Sequence, residues 1–77
     1  MDSERELTFG EKAVGLTFNP SGDEKVNEIK TLYAKVIDTL TALKTPEQNG
    51  KNRLISVAIT EAQGAQMWAV KAITWKD

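Results

Sequence analysis

One lysine stands where its charge can bind a phosphate group. Lys30 falls in the first half of a predicted long helix, Thr31 follows it with a hydroxyl, and Phe18 precedes the helix beside the turn at Pro20. A lysine ammonium binds phosphate as a point charge, and an aromatic face can stack a nucleobase. The three residues therefore predict a site for a phosphate and a base. The alternative is an exposed helical lysine that meets only water, and we expect Lys30 to contribute little to packing.

A second group of polar residues falls on the predicted last helix. Arg53 lies near the start of that helix, where a positive charge is unfavourable to the helix dipole, so it is a candidate for binding. Thr60 lies close to Gln63 and Gln66, whose amides interrupt an apolar stripe. Two alternatives stay open for the glutamines: they bind a polar ligand where protomers meet, with Thr60 contributing a hydroxyl, or they form hydrogen bonds between helices or are partly exposed.

Composition excludes several kinds of chemistry. The 77 residues contain no cysteine and no histidine, and the formal net charge is −1. Ser–His–Asp and Cys–His catalysis are therefore excluded. Disulfides and ordinary zinc sites are excluded for the same reason, since they need cysteine or histidine. A balanced charge argues against DNA binding, and the apolar runs are too short for a membrane span. We expect one cytoplasmic domain, residues 1–77, that is not an enzyme, needs no cofactor or metal, and binds a partner.

The N-terminal part predicts one short helix. Thr8 and Glu11 have the spacing of a capping box, in which each side chain bonds to the other residue's backbone N–H. A helix over 9–15 follows, with Gly15 suited to the left-handed position that ends helices. Residues 1–8 are expected to be flexible.

The middle of the chain predicts a long helix over 22–44. Ser21 and Glu24 form a second candidate capping box. Apolar residues then repeat at alternating spacings of three and four, which is the heptad pattern of a helix seam. The predicted seam consists of Val26, Ile29, Tyr33, Val36, Leu40 and Leu43.

The last helix is predicted to begin at 46 or at 51 and to end at 75. Pro46 favours the earlier start because proline suits the first helical position, whereas the Asn49–Gly50 pair favours the later one. A stripe of small residues, with the same spacing, follows Ile55: Ala58, Ala62, Ala65, Ala69 and Ala72. A further stripe consists of Ile59, Gln63, Gln66, Val70 and Ile73, and Trp68 is expected to pack in the core or an interface.

These elements predict an all-α fold. The connection between the two long helices is short, so they should form an antiparallel hairpin behind the short N-terminal helix. The last helix is apolar on several sides, and one partner helix covers only one of them. We therefore expect the hairpin to assemble as a homo-oligomer.

Several segments resemble a known family. Phe9–Leu16, Phe18–Gly22 and Val26–Lys30 look like the opening of small phage helical-hairpin proteins, and Ala58–Gln63 with Met67–Thr74 is similar to their closing helix. The family is that of the anti-CBASS cyclic-nucleotide sponges, which share this domain with a Thoeris anti-defence protein. The resemblance covers nearly the whole chain from Phe9 onward.

The resemblance implies a function. Members of the family form hexamers in the cytoplasm of the infected bacterium and sequester cyclic oligonucleotides such as cyclic GMP–AMP without cleaving them. It implies a dinucleotide pocket between protomers at Phe18, Lys30 and Thr31, and a separate trinucleotide site at Arg53 and Thr60. The alternative is a protein–protein adaptor or inhibitor that lays a helix into a groove of a host protein.

Overall fold

Three helices account for the regular structure of residues 6–77, the part of the chain that the computed structural model describes. They are α1 (Phe9–Ala13), α2 (Glu24–Ala42) and α3 (Asn49–Ile73), and the described residues contain no strand. α2 and α3 are antiparallel, because Thr45 bonds to Asn52 at one end while Val26 lines a cleft with Val70 at the other. The expectation of a flexible N-terminus falls in part on residues 1–5, outside the described residues.

Helix α1 begins at the predicted residue, with the predicted N-terminal cap. The Thr8 hydroxyl accepts a hydrogen bond from the Glu11 N–H at 3.1 Å, and the Glu11 carboxylate accepts one from the Thr8 N–H at 2.9 Å. The predicted capping box is thus confirmed. Gly15 has a φ of +64°, in the left-handed region, as its predicted role after the helix end requires. The α-helix itself stops at Ala13, two residues before the predicted end at 15.

Gly10 brings α1 against α2. Its N–H, a first-turn donor without a partner inside the helix, donates to Asp38 Oδ1 at 2.7 Å. A Cβ atom at Gly10 would clash with the Ala34 carbonyl oxygen and lie 2.8 Å from the same Asp38 oxygen. Only glycine therefore allows this approach of the two helices.

The predicted cap of α2 is wrong by two residues. Asp23, not Ser21, is the N-cap, and its carboxylate accepts a hydrogen bond from the Lys25 N–H at 2.8 Å. Gly22 has a φ of +69°, which is incompatible with a helix that includes it. The α-helix runs from 24 to 42, inside the predicted range of 22–44.

Helix α3 starts between the two predicted positions. It begins at Asn49, with Gln48 as an N-cap that makes no side-chain bond. The Asn52 amide holds the preceding turn instead, since its Oδ1 accepts from the Thr45 N–H at 3.1 Å and its Nδ2 donates to the Thr45 carbonyl. These two hydrogen bonds stabilise the turn before the helix. Gly50, which favoured a later start, lies in the first turn of α3. The helix ends at Ile73, before the predicted end at 75.

The buried face of α2 differs from the predicted heptad seam. α2 buries Val26, Lys30, Ala34 and Ile37, whereas Val36 and Leu43 of the seam are 47% exposed. The reason is that α2 contacts two helices, with Ala34 and Asp38 turned to α1, so its buried face is rotated toward α1 and away from the seam. The core cluster consists of Val14, Ala34, Ile37, Ile55, Ile59 and Ala62.

The alanine stripe of α3 is likewise only partly buried. α3 buries Ile55, Ile59, Ala62 and Gln66, which combines members of both predicted stripes, while Ala65 and Ala72 are exposed. Trp68 is 71% exposed, so the core alternative for this residue is wrong, and its place in an interface stays a prediction. The face of α3 that packs inward lies between the two predicted stripes, so each stripe is only partly covered.

Much apolar surface stays uncovered on the single chain. The large apolar residues Phe9, Phe18, Leu32, Val36, Leu43, Leu54, Val57, Met67, Trp68 and Trp75 are between 42% and 72% exposed. The molecule is 46 × 37 × 13 Å. Packed helix axes lie about 8–10 Å apart, so this thickness leaves each helix uncovered on at least one side. Among the described helices, none is long and apolar enough to cross a membrane.

The contact at Gly10 gives a testable pair of variants. We expect Gly10→Ala to lower the free energy of unfolding by about 1–3 kcal/mol, since the added methyl group overpacks the contact with Ala34. Gly64, also within a helix, has open space where a Cβ would lie, so Gly64→Ala should raise the same quantity by about 0.5–1 kcal/mol. Chemical denaturation followed by circular dichroism measures both. Equal changes in the free energy of unfolding for the two variants would contradict the close contact between α1 and α2 at Gly10.

Candidate functional site

A cleft opens where the loop after α1 meets the start of α2 and the end of α3. Its volume is about 280 Å³. The lining residues are Phe18, Asn19, Pro20, Ser21, Val26, Lys30, Val70 and Thr74. Three separate parts of the chain thus contribute to one concave surface.

The loop wall of the cleft is held by its own hydrogen bonds. Asn19 Nδ2 donates to the Asp23 carbonyl at 3.0 Å, and Ser21 Oγ donates to Asn19 Oδ1 at 2.8 Å. The Asp23 N–H in turn donates to Ser21 Oγ at 3.1 Å. Such short side-chain bonds to the backbone stabilise turns, so the loop presents its polar groups in a fixed arrangement.

Lys30 ties this loop to α2. Its side chain is 5% exposed, and its Nζ donates to the Gly15 carbonyl at 3.0 Å and to the Phe18 carbonyl. The expectation that Lys30 contributes little to packing is therefore wrong. A buried ammonium is stable only when its donors are paired, and here the two carbonyl oxygens of the loop supply that pairing.

Phe18 and Lys30 lie together at the cleft, as the sequence predicts. The Lys30 Nζ lies 5.6 Å from the centroid of the Phe18 ring, within the range of a cation–π contact. Phe18 is 70% exposed, so most of the residue's surface remains accessible. An ammonium has three N–H donors; two are given to the loop carbonyls, and Lys30 also lines the cleft.

Thr31 stands apart from this pair. Its hydroxyl donates to the Asn27 carbonyl of its own helix at 2.8 Å, and the residue is absent from the lining of the cleft. One residue along a helix turns the side chain by about 100°, which directs Thr31 away from Lys30. Its role in binding stays a prediction.

Arg53 and Thr60 are far from the cleft. Both are exposed on α3, and seven residues correspond to two helical turns, so they share one face about 10 Å apart. The cleft lies near Val70 and Thr74 at the other end of the same helix. A site at Arg53 and Thr60 is therefore separate from the Phe18–Lys30 cleft, and it stays a prediction.

The two glutamines of α3, Gln63 and Gln66, lie in different environments. Gln63 Nε2 donates to the Ala13 carbonyl at 3.2 Å, so this amide bonds between α3 and α1 as the structural alternative predicts. Gln66 is 5% exposed and lies in the interior of the fold. In the part of the chain that the structure describes, no cluster of three or more acidic residues is placed to hold a metal ion.

Six lining residues of the cleft were not predicted as site residues from the sequence: Asn19, Pro20, Ser21, Val26, Val70 and Thr74. The first three follow Phe18 directly and were visible as a turn-forming run. Val70 and Thr74 lie 40 and 44 residues after Lys30 in the sequence. The antiparallel hairpin was the available signal for them, because it places the end of α3 beside the start of α2.

The architecture defines the class of protein: an all-helical hairpin domain with a short N-terminal helix packed across it. Residues 11–74 match the family model described as the Acb2/Tad1 hairpin domain. The chain belongs to this family, whose domain is that of anti-CBASS and anti-Thoeris sponge proteins. The resemblance identified from the sequence is thus confirmed. No curated protein and no solved structure shows a significant match to the chain.

The environment of Lys30 makes its replacement a stability test. Hydrogen bonds to charged groups contribute about 1.5–3 kcal/mol, so we expect Lys30→Ala to lower the free energy of unfolding by about that amount. Lys25 lies on the same helix with an exposed Glu28 partner at 3.3 Å, and Lys25→Ala should change stability by about 0.5 kcal/mol or less. Urea denaturation of both variants measures the difference. A Lys30→Ala variant as stable as the parent would mean that the lysine does not anchor the loop.

Proposed function

We propose that the protein binds and sequesters cyclic di- and trinucleotide signals of bacterial CBASS defence, without cleaving them. The observation that carries the proposal is the pairing of the exposed Phe18 ring with the Lys30 ammonium at one cleft, in a chain of the sponge family. In this proposal the protein is phage-encoded, acts in the cytoplasm of the infected bacterium, and assembles as a homohexamer.

The cleft offers the two kinds of contact that a nucleotide needs. A base stacks on the exposed face of Phe18, and a phosphate oxygen accepts the remaining N–H of Lys30. The side chains of Asn19, Ser21 and Thr74 line the same cleft and provide hydrogen-bonding groups for the base edge or the ribose. Thr31 contributes in this proposal only where a neighbouring protomer extends the cleft over α2.

The size of the cleft supports a site shared between protomers. Its volume of about 280 Å³ lies just below the ~300–1,000 Å³ that small-molecule sites occupy. One nucleotide fills such a space, whereas a cyclic dinucleotide needs further walls. A second protomer supplies those walls in the assembled protein.

A separate trinucleotide site is proposed at Arg53 and Thr60. Both side chains are exposed on one face of α3, and an arginine guanidinium binds phosphate with two parallel hydrogen bonds. Their distance from the Phe18–Lys30 cleft allows both ligands to bind at once.

Phe18 provides the most direct test of ligand binding, because its exposed ring contributes little to the fold. Base–aromatic stacking is worth about 1–3 kcal/mol, so Phe18→Ala should raise the Kd for cyclic GMP–AMP roughly 5- to 150-fold. Phe9 is the matched control, since its ring is 55% exposed on α1 and lies outside the cleft lining. Isothermal titration calorimetry on the parent and both variants measures the affinities.

The bound ligand should be recovered intact when the complex is denatured, as sequestration without cleavage requires. Equal affinities of the Phe18→Ala variant and the parent would show that the ligand does not bind in this cleft. A parent protein that binds no cyclic nucleotide, and instead captures one host protein, would favour the adaptor alternative.

A further inference from the structure

The end of α3 forms one wall of the Phe18–Lys30 cleft and carries one polar side chain there. The wall consists of Val70 and Thr74, which lie about one helical turn apart on the same face of the helix. The side chain of Val70 is hydrocarbon. Thr74 is the C-cap of α3 and is exposed, so its hydroxyl is the side-chain group with which this wall can bind a polar ligand.

The proton of the Thr74 hydroxyl is already used. Oγ1 lies 2.9 Å from the Val70 carbonyl oxygen, and a carbonyl oxygen can only accept, so the hydroxyl must be the donor. Releasing this proton to a ligand would cost that hydrogen bond. The two lone pairs of the oxygen remain, and within residues 6–77 no group donates to them. The hydroxyl therefore offers the cleft an acceptor and no donor.

The polar side chains on the loop wall of the cleft are bonded differently. Ser21 Oγ donates to Asn19 Oδ1 and also accepts from the Asp23 N–H. Asn19 Nδ2 donates to the Asp23 carbonyl. Both side chains thus donate and accept within the turn, whereas Thr74 is bonded through its proton alone. The α3 wall is therefore the part of the cleft that favours a hydrogen-bond donor on the ligand.

The charges around the cleft favour one orientation of a nucleotide. The last turn of a helix carries a partial negative charge, and the last turn of α3 lines the cleft. Lys71 belongs to that turn, but it is outside the cleft lining, with its Nζ 5.5 and 6.0 Å from the ring centroids of Trp68 and Trp75. The Lys30 ammonium lies on the α2 side. A nucleotide therefore fits with its phosphate toward Lys30 and its donor groups toward Thr74.

We propose that Thr74 is a specificity-determining residue that selects guanine in this cleft. The inference rests on the proposed function, in which a base stacks on Phe18 and a phosphate meets Lys30. Proteins read an unpaired base through its Watson–Crick edge. Among the four common bases, only guanine has two adjacent donors on this edge, N1–H and the 2-amino group. The two lone pairs of the Thr74 oxygen match this pair of donors.

The other bases place an acceptor where Thr74 has its own acceptor. Adenine and cytosine have a bare ring nitrogen beside the amino group, and uracil has its N–H between two carbonyl oxygens. Each of them can donate once to the Thr74 oxygen, but the neighbouring acceptor of the base then loses its water without gaining a donor. Such an unpaired polar group lowers affinity, so these bases should bind more weakly than guanine.

The test compares two ligands that differ only at this edge. Cyclic di-GMP has the 2-amino group, and cyclic di-IMP, its inosine analogue, lacks it. A neutral hydrogen bond changes affinity by a factor of roughly 2 to 10. We therefore expect the parent protein to bind cyclic di-GMP about 2- to 10-fold more tightly than cyclic di-IMP, as measured by isothermal titration calorimetry.

Variants of Thr74 assign this preference to its hydroxyl. Thr74→Val removes the hydroxyl at similar size and should reduce the difference between the two ligands to less than about twofold, whereas Thr74→Ser should keep the preference. Thr39→Val is the matched control, because the Thr39 hydroxyl makes the same bond within α2, to the Lys35 carbonyl at 2.8 Å, and lies outside the cleft lining. Thr39→Val should keep the parental preference, and circular dichroism checks the fold of each variant.

Equal affinity of the parent for the two ligands would overturn the inference without any variant. It is also overturned if Thr74→Val keeps the parental preference, or if this variant weakens both ligands equally, because the hydroxyl would then bind a group that both ligands share. Failure of the proposed function gives a different result. In that case the parent binds neither ligand, or Phe18→Ala binds both as tightly as the parent does, and the inference about Thr74 fails with it.

Discussion

The structure depends on one buried cation. The Lys30 ammonium pairs with two carbonyl oxygens of the loop after α1, and this pairing fixes the position of Phe18 relative to α2 and α3. Without these hydrogen bonds from Lys30, the loop is no longer held against α2, and the cleft loses one of its walls. In the proposed function the third N–H of the same ammonium binds the ligand, so replacing Lys30 would lower both ligand affinity and the stability of the fold.

The contact between α1 and α2 accounts for the surface of the molecule. Gly10 and Asp38 bring α1 against α2, and α2 rotates its buried face so that it meets α1 and α3 together. This rotation leaves Leu32 and Val36 outside the core and about half exposed. A chain of this size buries only about 60% of its unfolded surface, and association is one way in which small folds gain further burial.

Sequence patterns predicted the local structure better than the packing. The Thr8–Glu11 capping box and the left-handed Gly15 follow from short-range chemistry, and both are confirmed. The pairing of Phe18 with Lys30 was also predictable, because both residues are close in the chain. The burial of Lys30 was not, since it depends on where the loop folds back on α2. The buried face of α2 escaped prediction for a related reason: apolar spacing identifies every apolar stripe, and the choice among stripes depends on two other helices.

NMR spectroscopy can show whether the Phe18–Lys30 cleft binds a cyclic dinucleotide, as proposed. Side-chain resonances of Phe18 and Lys30 would be followed during titration with cyclic GMP–AMP, with Phe9 and Lys25 as internal references in the same sample. The account predicts saturable shifts of Phe18 and Lys30 at a common midpoint, with much smaller changes at the two references. Saturable shifts confined to Arg53 and Thr60, or no saturable shift at all, would contradict it.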